Sequence, residues 1–523
     1  MSETTNNKKP IFQQMLDGVE WAGNKLPHPA ALFAIFVVFI MVISHIAYLA
    51  DVFVTQQTVN LATGEATDVT VPAVSLLTRD GIAYMFTSAV RNFVGFAPLG
   101  TILVAMLGVG VAEHFGLIST LIRRLMLGTP KKLITVMVLF VGIVSNVASD
   151  TGYLVVIPLG AAIFYAVGRH PLAGLAAAFF GVSGGFGANI VLATTDILLS
   201  GITQETARLV DPEAIVTPTS NYYFMCVSTF LLVTVGYFIT EKIVVPRLGE
   251  YKPEGDIAGS TDNNISGELT AEEKRGLKFA GLFLLGLIGF LLLLTVPPWA
   301  PLRNAETGSL VANSPLMIGL VPIIMFTFLI PAIGYGIGAK KVKNDKDIIT
   351  GMTKSMQTMG SYLVLAFFAA QFINYFSYSK LGVILSVNGA HLLQDVGFTG
   401  IPLILSFILL TAFLNIFIGS ASAKWAIMAP IFVPMFMQLG YDPSFTQLAY
   451  RIGDSVTNII TPLLPYFALI VVFAEKYDKK ASLGTIVSLM LPYTLFALLA
   501  WSIFLVIWYL ICLPIGLGGK IFL

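Results

Sequence analysis

Charge is what this sequence has least of. Only 11% of its 523 residues are Asp, Glu, Lys or Arg, where a soluble domain carries about 25%. With 56% hydrophobic residues and a mean hydropathy of +0.83, that scarcity excludes a water-soluble globule and describes an integral membrane protein. With a net charge of +1, nothing suggests a nucleic-acid partner. Cysteine is almost missing: Cys226 and Cys512 stand singly in apolar runs, so neither a disulfide framework nor a metal knuckle is implied. The five histidines, at 28, 45, 114, 170 and 391, are scattered and form no HExxH motif. A P-loop is missing too, because GLGGK at 516–520 has the wrong spacing and Ile521 in the Ser/Thr position. Pumping must therefore draw on an ion gradient, and no cofactor or resident metal is expected. The opening stretch MSETTNNKKPIFQQMLDGVEWAGNKLPHP lacks a signal peptide's apolar core and cleavage site, so the first apolar run is expected to be a retained span.

What the chain has in quantity is apolar runs of membrane-crossing length, ~20 residues for a helix. Runs at 29–50, 81–113, 171–200, 221–244, 279–296, 315–338, 357–378, 444–473 and 484–512 predict nine spans. Two more apolar stretches, 133–167 and 401–438, carry polar breaks at 145–150 and 419–424. Each half is too short for a comfortable crossing, so each stretch reads as a re-entrant hairpin. The spans at 171–200 and 444–473 are themselves interrupted, at 181–189 and 453–461.

Positive charge orients the spans. Lys8, Lys9 and Lys25 place the N-terminal segment 1–28 in the cytoplasm, and Arg123, Arg124, Lys131 and Lys132 mark the same side. So does a Lys-rich loop at 340–354. The polar, β-rich stretch 51–80 and the C-terminus fall outside. The linker 245–278, cytoplasmic by its basic flanks, separates a first half, 29–244, from a second, 279–523. One hairpin then enters from each face. The expected fold is an all-α integral membrane protein: an inverted-repeat secondary transporter with nine transmembrane helices, two re-entrant hairpins and broken helices in its core.

The repeat is visible residue by residue. Residues 145–160 read SNVASDTGYLVVIPLG and residues 417–432 read FIGSASAKWAIMAPIF. Slid by 272 positions without a gap, Pro158 meets Pro430, Gly168 meets Gly440, Pro171 meets Pro443, Gly181 meets Gly453 and Ser183 meets Ser455. In hydrocarbon, non-helical backbone is tolerated only where it lines a cavity or is buried in protein. A helix stopped mid-membrane offers N–H groups to a carboxylate at one end and carbonyls to a cation at the other. Ser145, Asn146, Asn189, Ser420, Ser422 and Asn458 add short hydrogen-bonding side chains at these breaks and are candidate substrate ligands. Na+ is a possible ion at the hairpin tips, although glycine and serine there also serve close helix packing.

Ionisable groups inside spans are functional candidates by default. Asp150, Asp196, Lys424, Arg451 and Asp454 fall in or beside the breaks. Arg451 and Asp454 stand three residues apart on one helix and could pair with each other. Alternatively Arg451 or Lys424 receives an anionic substrate while Asp196 or Asp454 carries a proton, or Lys424 pairs with Asp150. Trp425 could stack on an aromatic substrate or simply pack. An intramembrane aspartyl protease is disfavoured, because Asp442 and Asp454 do not face each other from separate spans. A passive channel is disfavoured by the inverted cassettes.

At SNVASDTGYLVVIPLGAAIF, GRHPLAGLAAAF, IGSASAKWAIMAPIFVPMF and YRIGDSVTNIITP the sequence resembles the AbgT family of bacterial inner-membrane transporters. NFVGFAPLGTILV, EKIVVPRLG and LPIGLGG extend that resemblance over nearly the whole chain, and GSASAKWA with GDSVTNIITP resembles the antimetabolite-exporter branch. The resemblance implies a homodimer with one site per protomer. It also implies transport of p-aminobenzoyl-glutamate, p-aminobenzoate and sulfonamide antimetabolites by an ion gradient, most simply proton-coupled export. Import of p-aminobenzoyl-glutamate and Na+-coupled dicarboxylate transport stay open. The family's important positions match Asp196, Trp425, Pro443, Arg451 and Asp454, with Gly181 and Gly453 structural beside them. Lys424 departs from the uncharged residue expected there.

Overall fold

The computed structural model describes residues 27, 29–59, 66–148, 152–251, 269–310 and 314–523. Apolar runs become helices because a helix satisfies its own backbone where no water can. The first half contains α1 (Pro29–Leu49), α2 (Arg79–Val94), α3 (Ala97–His114), α4 (Leu117–Leu127), α5 (Ile134–Val144), α6 (Ile157–Ala166), α7 (Pro171–Phe179), α8 (Thr194–Ala207), α9 (Tyr222–Ile239) and α10 (Val245–Leu248). The second contains α11 (Ala271–Thr295), α12 (Pro315–Ile318), α13 (Leu320–Gly338), α14 (Asp345–Thr358), α15 (Gly360–Tyr378), α16 (Leu381–Asp395), α17 (Gly400–Asn415), α18 (Ala421–Gln438), α19 (Pro443–Val456), α20 (Phe467–Glu475) and α21 (Leu483–Ile511). A two-stranded antiparallel hairpin, β1 (Phe53–Val59) on β2 (Ala66–Pro72), occupies the stretch expected to be β-rich.

Among the described residues six helices are long and apolar enough to cross a membrane, and two bent helix pairs raise that to eight. The chain is a mostly helical, multi-pass membrane protein. Helix α11 shows the solvent plainly: Leu282, Leu285 and Leu293 are more than half exposed.

Three local expectations need correction. The Lys-rich stretch 340–354 is mostly helix rather than loop. Asn344 caps α14 by accepting from the Asp347 amide, while the Asp347 carboxylate accepts from the amides of Lys343 and Asn344, a reciprocal cap. Ile348 and Met352 then pack on the core, Lys346 and Lys354 lie on its solvated face, and Lys340, Lys341 and Lys343 precede it. Helix α16 fills a stretch between the seventh span and the second hairpin where no element was expected. The second break lies at 416–420 instead of 419–424, since α18 begins at Ala421 with Ser420 as its N-cap. Lys424 is therefore helical.

The two cassettes share one internal fold. Gly168 and Gly440 both take left-handed φ, 78° and 86°, just after α6 and α18, where a side chain would be strained. Pro171 and Pro443 each open the next helix, and the preceding His170 and Asp442 side chains accept from the amides of Leu172 and Ser444. Helix α7 runs into a π-turn at Phe180–Gly184, and α8 resumes only at Thr194. Helix α19 likewise stops at Val456, and α20 begins at Phe467. In the second copy α17 and α18 fold back on each other: the rings of Phe407 and Phe432, thirteen and twelve residues from Ser420, lie 4.8 Å apart.

Candidate functional site

The breaks of the two cassettes meet at the centre of the molecule. Asn458, just past α19, donates from Nδ2 to the Ser183 carbonyl at 3.3 Å, and Ser183 meets the Tyr153 hydroxyl at 3.0 Å. Across the same junction Arg451 Nη1 of α19 lies 2.5 Å from Asp196 Oδ1 of α8. This is a close charge contact without hydrogen-bond alignment, and Arg451 Nε has no hydrogen-bond acceptor among the described residues. The second oxygen of Asp196 accepts from the Ala193 amide at 2.6 Å, closing the N-terminus of α8. A buried cation and a capped helix start thus share one carboxylate.

A second ion pair involves Asp454, three residues further along α19. Lys424 Nζ stands 2.6 Å from Asp454 Oδ1, with 1% and 3% of their side chains exposed. Asn415 Oδ1 also accepts from that ammonium. The amide nitrogen of Asn415 reaches Asp454 O at 2.6 Å, Thr457 Oγ1 at 2.9 Å and Asn458 Oδ1 at 2.8 Å. Tyr450 donates its hydroxyl proton toward the Ala421 carbonyl, 2.5 Å away, and also lies 3.2 Å from Asp454 Oδ1. Both charges are paired and bonded further, the condition under which buried ions are tolerated. The spacing that suggested an Arg451–Asp454 pair does not form one.

Trp425 belongs to a different network. Its ring packs on Tyr450 with centroids 4.4 Å apart, and its indole N–H donates to Thr203 Oγ1 at 2.9 Å. Thr203 donates to Gln447, whose amide donates to Asn221, which in turn reaches the Ser444 carbonyl. The side chain is fully buried. Pro443 and Gly453 shape α19, and Gly181 shapes the π-turn.

In front of these pairs lies a cavity of about 570 Å³ lined by Ser420, Ser422, Thr195, Asn458 and the stacked pair Tyr153–Tyr466, among others. The two tyrosine rings are 4.4 Å apart and nearly parallel. Ser420 caps α18, whose first amides have no helical carbonyl to bond. Hydroxyls, an amide, a helix N-terminus and aromatic rings are thus gathered at one cavity. The ion pairs are one step behind its wall: Thr195 precedes Asp196, and Asn458 leads through Asn415 to Lys424. The four buried charges sum to zero, so dipoles rather than a net cation face the cavity.

Of the expected ligands, Ser420, Ser422 and Asn458 line this cavity. Ser145 is buried and donates to the Gly142 carbonyl. Asn146 is buried with neither amide atom hydrogen-bonded among the described residues, and Asn189 Oδ1 accepts from the amides of Ile190 and Val191. Lys424, Trp425, Arg451, Asp196 and Asp454 are outside the lining and behind it. Asp150 lies outside the described residues. Sequence reading passed over Asn415, Tyr450, Thr203, Gln447 and the tyrosine pair. Asn415 had a signal: it is a lone amide in the apolar run ILLTAFLNIF.

A family model described as the "AbgT putative transporter family" matches residues 14–523. The p-aminobenzoyl-glutamate transport protein of Escherichia coli strain K12 is 39% identical over 96% of this chain and 95% of its own. The solved MtrF of Neisseria gonorrhoeae, described as illuminating a class of antimetabolite efflux pumps, is 48% identical with a TM-score of 0.90. It matches over 97% of this chain and 100% of that one. The YdaH transporter of Alcanivorax borkumensis is 42% identical, with a TM-score of 0.86, over 94% of this chain and 100% of its own.

Proposed function

The chain belongs to the AbgT family of transporters, and on that premise we propose that it is an ion-gradient-driven carrier of p-aminobenzoate-type acids, p-aminobenzoyl-glutamate and sulfonamide antimetabolites. Its working mode is proton-coupled export across a bacterial inner membrane. The observation that carries this reading is the cavity of about 570 Å³, within the size range of small-ligand sites. The stacked tyrosines suit an aromatic ring; Ser420, Ser422 and the α18 N-terminus suit a carboxylate. The exporter direction is supported by the 48% identity to MtrF. Buried carboxylates Asp196 and Asp454 take the proton. Nine spans, two re-entrant hairpins of opposite entry and a homodimer complete the proposal.

Counterflow in proteoliposomes with p-aminobenzoate, p-aminobenzoyl-glutamate and a sulfonamide tests substrate and coupling together. Exchange of all three that follows an imposed pH gradient is expected, and exchange of none would end the reading. Tyr153→Ala should raise the KM for p-aminobenzoate at least ~5-fold, since one aromatic contact is worth ~1 kcal/mol beyond its buried area. An unchanged KM would take the tyrosine pair out of recognition. Orientation is checked by impermeant thiol labelling with Cys226 and Cys512 replaced by serine. A cysteine at exposed Glu306 should react in intact cells, and one at exposed Lys343 only in inverted vesicles. The reverse pattern would invert the topology.

A further inference from the structure

Lys424 sits where an unattached cation would sit. Its ammonium is buried between Asp454 Oδ1, at 2.6 Å, and Asn415 Oδ1. The amide of Asn415 cannot turn away, because its nitrogen is held by Asp454 O, Thr457 Oγ1 and Asn458 Oδ1. Its oxygen is therefore committed to whatever positive charge occupies the site. Asp454 Oδ1 is itself held by the Tyr450 hydroxyl, 3.2 Å away, which also bonds the Ala421 carbonyl. The two atoms that hold the ammonium, a carboxylate and a side-chain carbonyl at two helix breaks, are both oxygens, the donor chemistry of a hard cation. The first cassette has Gly152 at the position matching Lys424 and Val182 at the position matching Asp454, so the arrangement belongs to the second copy alone.

We propose that Lys424 is a tethered cation: its ammonium permanently fills a site that the second cassette would otherwise offer to Na+, so this chain requires no Na+ there. Its meaning for coupling rests on the transport reading, but its test does not. A permanently attached charge cannot be exchanged with the solution, which removes this site from the list of places where a Na+ gradient could act. Neutralising Lys424 leaves Asp454 and Asn415 facing an uncompensated place that Na+ can enter.

The test is thermal unfolding of purified, detergent-solubilised protein in NaCl against equal concentrations of KCl and N-methylglucamine chloride. The wild type should show no Na+-specific shift. Lys424→Met and Lys424→Gln should each gain one of ~1–3 °C, by mass action on the folded state. Adding Asp454→Asn to either variant should remove it. Variants that fold but do not respond to Na+ overturn the proposal, as does a wild type that responds as strongly as they do. If neither variant folds, the wild type alone still decides: a Na+ shift abolished by Asp454→Asn means the ammonium does not occupy the site. Failure of all transport with this pattern of shifts intact would defeat the transport reading and leave the tethered cation standing.

Discussion

In proteoliposomes carrying Asp454→Asn, uptake of p-aminobenzoate driven by an imposed pH gradient should fall to the level of empty vesicles. Uptake at the wild-type rate would remove Asp454 from coupling. The change takes away a titratable group and also leaves the Lys424 ammonium, 1% exposed, without its counter-charge. Breaking one partner of a buried pair costs ~3–5 kcal/mol. The exposed pair Lys340–Glu272, 3.3 Å apart with side chains 65% and 57% exposed, would lose under ~1 kcal/mol by the same treatment. Lost transport by Asp454→Asn could then reflect unfolding alone, and a second variant separates the two. Lys424→Met with Asp454→Asn removes both charges, so stability should recover most of the single-variant loss. Transport driven by the pH gradient should stay absent. Recovery of both would mean that Asp454 matters only because it neutralises Lys424.

The same comparison is cleaner at Asp196, for a structural reason. Asp196 holds Arg451 with one oxygen and the Ala193 amide with the other. Asparagine keeps an acceptor for that amide, so Asp196→Asn removes the charge while preserving the start of α8. The pair therefore separates charge from helix capping in a way that Asp454 does not.

How much of this was legible beforehand follows from which forces act locally. Breaks at 181–189 and 453–461 were visible because glycine, proline and polar residues interrupt apolar runs only where backbone can be satisfied otherwise. The 272-residue offset was visible for the same reason, and the shared left-handed glycines and proline helix starts give it a physical basis. Pairings were not visible. Spacing on one helix suggested Arg451 with Asp454, yet each chose a partner brought in by another segment: Asp196 from α8 and Lys424 from α18. A helix turn places neighbours three residues apart, but the deeper energetic demand is that each buried charge find an opposite one. Which one it finds is decided by helix packing. Trp425 shows the same limit: an indole beside a hairpin tip can serve a ligand or a neighbour, and Tyr450 with Thr203 occupy it. Helix α14 was missed because lysines at 340, 341 and 343 crowd the approach to it, while the cap at Asn344 that starts it is a three-residue signal easily lost among charges.

Gly453→Ala should destabilise the protein by ~1–3 kcal/mol, the cost of forcing an extra carbon into a packed interior, and reduce transport at least tenfold. A Cβ at 453 would lie 2.4 Å from the Ile408 carbonyl oxygen, 2.7 Å from Thr411 Cβ and 2.9 Å from the Ala412 amide nitrogen. Two of these are backbone atoms of α17, so no side chain can swing aside and the helices must separate. Separation strikes the site directly, because Asn415 at the end of α17 reaches the Asp454 carbonyl of α19 at 2.6 Å. Gly181→Ala is the matching change in the first copy, where the added carbon meets Leu139 O at 2.7 Å and Gly142 Cα at 3.0 Å. It should also destabilise, but less, since its contacts are longer and no ion pair hangs on them. Gly440→Ala is the control. Nothing lies within 4 Å of its would-be Cβ, and only the left-handed φ of 86° opposes it, a strain of ~1–2 kcal/mol. Transport by Gly440→Ala should therefore survive where its melting point drops, while Gly453→Ala loses both. Thermal unfolding beside pH-driven uptake reads the difference. A Gly453→Ala protein that melts and transports like the wild type would mean that α17 and α19 do not meet as closely as the site requires.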